Sequence, residues 1–104
     1  SKALRRSGGN RHHTAQLFSK FILELPGRKS RINSFSAKLQ LDELRDEVNR
    51  IYRAAQHCAA YKISDAASAL GSAIENNHDK IGDAIKDLNK HITELLDEQS
   101  EFRA

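Results

Sequence analysis

Residues 45–58 read RDEVNRIYRAAQHC, and the spacing inside this stretch sets the reading of the whole chain. Leu44, just before it, is followed by Val48, Ile51, Ala55 and Cys58 at intervals of four and three. That is one apolar stripe of an α-helix turned toward a core. The helix is expected from about Leu41 to about Ala59. The strip beside the stripe carries Arg45, Asn49, Tyr52, Arg53 and Gln56, which the same geometry turns toward solvent or a partner.

The flanking segments repeat the pattern. From Lys80 to Phe102, the residues Ile81, Ile85, Leu88, Ile92, Leu95, Gln99 and Phe102 recur at alternating fours and threes, the seam of a helix in a left-handed bundle or coiled coil. Asn76 or Asn77 would cap this helix, with Asp79 in its first turn favourable to the dipole. Ile63, Ala66, Ala67, Leu70 and Ile74 mark a shorter helix with Ser64 as its expected N-cap. Its Ser64, Ser68 and Ser72 repeat is read as a solvent side.

Toward the N-terminus, Phe18, Phe21, Leu25, Ile32, Phe35 and Leu39 keep one phase on both sides of Pro26. Two separate helices would have no reason to preserve it. The phase therefore predicts one long helix, from about Arg11 to Ser34, kinked near Pro26-Gly27. Asn10 is the expected N-cap after Gly8-Gly9, and residues 2–7 form a short helix of their own. The fold class that follows is all-α, an antiparallel four-helix bundle with a short additional N-terminal helix.

Composition agrees with this and narrows the function. The 104 residues suffice for a single domain with one core. No Met is present, even at position 1, so the chain is expected to be a piece of a longer protein. No run is apolar and long enough to span a bilayer. The single cysteine, Cys58, permits no internal disulfide and fits a reducing, cytoplasmic setting. Residues 1–62 carry 13 Lys/Arg against 5 Asp/Glu, and residues 63–104 carry 4 against 9. The basic half lacks a stacking platform or reading helix, which ranks an acidic protein surface above nucleic acid as its partner, and a merely solvated face above both. His12 and His13 are adjacent and point to different faces, and no Cys/His or carboxylate cluster offers a metal site. No cofactor motif appears, and the chain by itself is not expected to be an enzyme.

Three segments, in order, resemble a histidine-phosphotransfer (HPt) domain. LRRSGGN, residues 4–10, is similar to the lead-in helix and Gly-Gly turn of HPt domains at the C-termini of tribrid sensor kinases of the BarA/GacS type. FILELPGR, residues 21–28, is similar to their long proline-containing helix. VNRIYRAAQHCA, residues 48–59, resembles the pattern V-H-R-L-H-G-A-A-x-Y-C-G. The resemblance covers essentially the whole chain. It implies a carrier that receives a phosphoryl group from a receiver-domain aspartate on an exposed histidine.

Here the acceptor position is Asn49 and the usual glycine is Arg53. An amide nitrogen has its lone pair delocalised into the carbonyl, whereas neutral imidazole offers a free one. Side chains on a helix lean toward its N-terminus, so Arg53 covers the surface next to Asn49 and charges it. The resemblance thus implies a degenerate HPt domain that binds response-regulator receivers through Arg45, Asn49, Tyr52, Arg53 and Gln56 without carrying phosphate, and with no catalytic residue. Two alternatives stand beside it. One is an active carrier using another histidine such as His57, and the other is a structural module that self-associates through the last helix.

Overall fold

The computed structural model describes the backbone of residues 2–103 and the side chains of residues 15–99. Within those bounds every element is helical: α1 (Lys2–Ala37), α2 (Leu41–His57), α3 (Tyr61–Asn76), a 3₁₀ turn (His78–Lys80) and α4 (Ile81–Arg103). No helix among the described residues is long and apolar enough to cross a membrane.

The first helix departs from expectation. It runs unbroken for 36 residues, so the short separate helix, the Gly8-Gly9 turn and the Asn10 cap are all absorbed into α1. Glycine weakens a helix by about 1 kcal/mol but does not forbid it, whereas a break requires a second costly nucleation. The helix also passes through Pro26 without interruption and continues to Ala37. The phase argument for one helix across the proline therefore holds, while its predicted ends do not. The side chains of Asn10, His12, His13 and Phe102 lie outside the described residues.

One core joins the four helices. Phe21, Ile22, Leu25 and Ile32 come from α1, and Leu44, Val48, Ile51 and Ala55 from α2. Ile63, Ala66, Ala67, Leu70 and Ile74 come from α3, with Ile85, Leu88 and Ile92 from α4. These are the stripes read from the sequence, with Cys58 buried among them as a small apolar side chain. Burial pushes the Cys58 thiol above its ordinary pKa, against the lowering effect of backbone hydrogen bonds. That keeps it protonated and a poor nucleophile. Leu39 is the exception to the α1 stripe. It lies past the helix end and is 80% exposed.

α2 packs against α1 on one side and α3 on the other, and α3 in turn packs against α4. α4 also meets α1, where Lys29 Nζ donates to Thr93 Oγ1 (3.0 Å) and Asn89 Nδ2 to Asn33 Oδ1 (2.9 Å). Two further capping expectations are corrected. Ser64 is no N-cap: α3 begins at Tyr61, and Ser64 is wholly buried one turn in, its hydroxyl donating to the Tyr61 carbonyl (3.1 Å). A buried hydroxyl bonded back to the preceding turn needs no capping role. The serine repeat therefore splits, with Ser68 and Ser72 exposed and Ser64 in the core. Before α4, Asn76 ends α3, and Asn77 precedes the 3₁₀ turn without a side-chain cap bond.

Both short connections around α2 use the same closure. After α1, the Gln40 N–H donates to Phe35 O (2.8 Å) and the Leu39 N–H to Ser36 O (3.1 Å). After α2, the Ala60 N–H donates to Ala55 O (2.8 Å) and the Ala59 N–H to Gln56 O (3.2 Å). These are Schellman pairings, which require a left-handed residue at the turn. Leu39 (φ 57°) and Ala59 (φ 62°) supply it without being glycine. A Cβ in that region is unfavourable, and Leu39 recovers little of that cost by burial. We expect Leu39→Gly to stabilise the fold by about 0.5–1 kcal/mol. A thermal melt should show this as a rise of roughly 3–6 °C, and a fall would mean that Leu39 makes a contact that outweighs its backbone strain.

Candidate functional site

The site is defined by how α2 is rotated about its axis. With Leu44 taken as the core direction, Tyr52 lies about 80° round, Arg45 about 100°, Gln56 about 120°, Asn49 about 140° and Arg53 about 180°. Arg50 falls on the other flank, about 120° from the core. All six are exposed. The predicted strip therefore exists as a surface, but its members divide among different neighbours.

Arg45, Asn49 and Tyr52 line one groove of about 310 Å³ between α2 and α3. The opposite wall is formed by Ser68, Ser72, Glu75 and Asn76, with Ala67, Gly71 and Val48 beneath. Gly71 sits in mid-helix. A Cβ there would come no closer than 3.9 Å to Val48 Cγ1, an ordinary contact. Packing does not demand the glycine, so its effect is to leave the groove floor low beneath Asn49 and Tyr52. Arg45 is tied across the mouth, its Nε 2.7 Å from Glu75 Oε1 and its Nη2 3.5 Å from Asp42 Oδ1.

Gln56 and Arg53 are outside this groove. Gln56 Nε2 donates to Ser64 Oγ (3.2 Å), pinning the end of α2 to the start of α3. Arg53 points away from the core, and no ion pair within 4 Å involves it among the described residues. The five predicted residues thus comprise three groove residues, one inter-helix brace and one outward cation.

Among the described residues, the histidines do not converge on Asn49. His57 is exposed on the last turn of α2 and lines neither groove. His78 Nε2 lies 2.9 Å from the Ile74 carbonyl, closing the end of α3. His91 lies between Asp87 (3.5 Å) and Glu94 (3.2 Å). It lines a separate groove of about 260 Å³ with Tyr61, Ile63, Leu95 and Glu98. No group of three or more metal-ligating side chains occurs among the described residues.

The sequence reading missed the residue that holds this arrangement. Glu47 is 3% exposed, on the side of α2 that faces α1. Its Oε1 accepts from Arg28 Nη1 (3.3 Å) and from Arg31 Nε (3.2 Å), and Arg31 Nη2 lies 3.2 Å away as an ion-pair contact. Arg28 also reaches Glu24 (3.5 Å), while its own Nε is buried without a partner. Glu47 lies three residues after Leu44 and beside Val48. A carboxylate at the edge of an apolar stripe, opposite the two arginines of PGRKSR, is the signal that could have revealed it.

Compared with protein-family models, curated proteins and solved structures, the chain matches none.

Removing one member of a buried ion pair strands the others. Because Arg31 is half exposed, we expect Glu47→Ala to cost about 2 kcal/mol, below the range for a fully enclosed pair. The surface change Lys86→Ala should stay within about 0.5 kcal/mol. Urea unfolding of both variants tests this, and equal midpoints would show that Glu47 is not structurally required.

Proposed function

We propose that the chain is an HPt-type domain, an antiparallel four-helix bundle that docks response-regulator receiver domains in the cytoplasm and does not carry phosphate. The bundle reading draws support from the α1–α4 bonds, in which Lys29 pairs with Thr93 and Asn33 with Asn89. A step of four forward in α1 is a step of four back in α4, as neighbours of opposite direction require.

The observation that carries the functional reading is Asn49. It stands exposed on the outer side of α2, at the edge of the groove, with Arg53 one turn further on. An acceptor must present a lone pair at that exposed position, and Asn49 presents an amide. Tyr52, 37% exposed, gives the same face a rigid aromatic anchor of the kind that dominates protein interfaces. Positive charge on this side of the molecule suits the carboxylates of a receiver pocket.

The two alternatives fare less well. His57 is exposed but stands two turns from Asn49, outside the groove. The α4 seam is consumed within the chain, since Ile85, Leu88 and Ile92 are buried against its own helices. A seam so used leaves little apolar surface to drive self-association.

An NMR titration with the receiver domain encoded in, or beside, the same gene tests the proposal. Shifts are expected at Arg45, Asn49, Tyr52 and Arg53, with a smaller response at the braced Gln56 and none in the Tyr61–His91 groove. No shifts at high receiver concentration, or shifts confined to the far groove, would overturn it.

A further inference from the structure

The cations around the α2 face are not equivalent. Arg28 and Arg31 share Glu47, and Arg45 is held by Glu75 and Asp42. Arg50 and Arg53 are exposed, three residues apart, and have no carboxylate within 4 Å among the described residues. Even Asp46, four residues before Arg50, is not in contact with it. Like charges at this spacing on a helix repel one another, a cost that an external anion would relieve.

Arg53 stands between the other two about the helix axis, one turn after Asn49 on one side and three residues after Arg50 on the other. Each guanidinium is a planar fork of N–H donors with no acceptor, and the amide adds two more donors through Nδ2. Where a carrier would present a nucleophilic lone pair, this patch presents chiefly donors. Phosphoryl oxygens are the acceptors that such forks bind best, through paired charge-assisted hydrogen bonds.

We propose that Asn49, Arg50 and Arg53 bind the phosphoryl group of a phosphorylated receiver aspartate, so that the domain distinguishes the phosphorylated receiver from the unphosphorylated one. This rests on the receiver-docking reading above. No bond to phosphorus forms or breaks, because the amide nitrogen has no free lone pair to attack with and the arginines remain protonated. The group is gripped and left on its aspartate. Such a domain sequesters the activated partner, whereas a carrier would discharge it.

The test compares binding of the receiver encoded in, or beside, the same gene in its Mg²⁺ form and in its beryllofluoride form, a stable mimic of the phosphorylated aspartate. One additional charge-assisted contact corresponds to roughly tenfold tighter binding of the beryllofluoride form. The double variant Arg50→Gln, Arg53→Gln should keep its helical circular dichroism, since both side chains are exposed, and should bind the two forms equally. Equal affinity of the natural chain for both forms would overturn the phosphoryl preference while leaving receiver docking intact. A preference that survives in the double variant would overturn the assignment to these arginines. No binding of either form would remove the docking reading and this inference together.

Discussion

The Glu47 carboxylate, sunk between α1 and α2 and shared by Arg28 and Arg31, sets the rotation of the helix on which the function depends. Apolar contacts alone define the buried side of α2 only broadly, because Leu44, Val48, Ile51 and Ala55 would tolerate a modest roll. A buried carboxylate held by Arg28 and by the half-exposed Arg31 resists it, since rolling the helix would loosen both ion pairs. Such pairs are weak sources of net stability, and in some proteins they fix register. The two arginines lie two and five residues beyond Pro26 on α1.

Once α2 is locked, the rest of the surface follows. Leu44 and its stripe are driven inward, Arg45, Asn49 and Tyr52 are brought to the α3 groove, and Arg50 and Arg53 face outward. The Gln56–Ser64 hydrogen bond and the Schellman turn at Ala59 hold the far end of the helix in place. The exposed face is thus carried by a well-fixed helix rather than a loop, which lowers the ordering cost of binding a partner. Electrostatics then sorts the cations, as nearby carboxylates occupy some and, among the described residues, leave Arg50 and Arg53 without an ion pair.

Much of the fold was legible in the sequence because helical periodicity is a direct signature of burial. The stripes on α2, α3 and α4, and the continuity of α1 through Pro26, were all readable from spacing. The helix ends were not. Gly8-Gly9 resembles a break but costs too little to enforce one, Ser64 resembles a cap yet is buried, and Leu39 keeps the apolar phase two residues beyond its helix. Only at Ser64 did tertiary packing outweigh the local preference. The exposed strip was found, but its internal division was not. Arg45 is engaged by Glu75, thirty residues after it in the chain, and no local pattern contains that pairing.

The central claim is that a carrier scaffold survives here with its acceptor chemistry removed. The most direct measurement is transfer of labelled phosphate from the phosphorylated receiver to the natural chain and to the double variant Asn49→His, Arg53→Gly. The natural chain should take up no acid-labile label, and the double variant should become labelled at residue 49. Label on the natural chain would contradict the claim. So would the absence of label on a folded double variant that still binds the receiver.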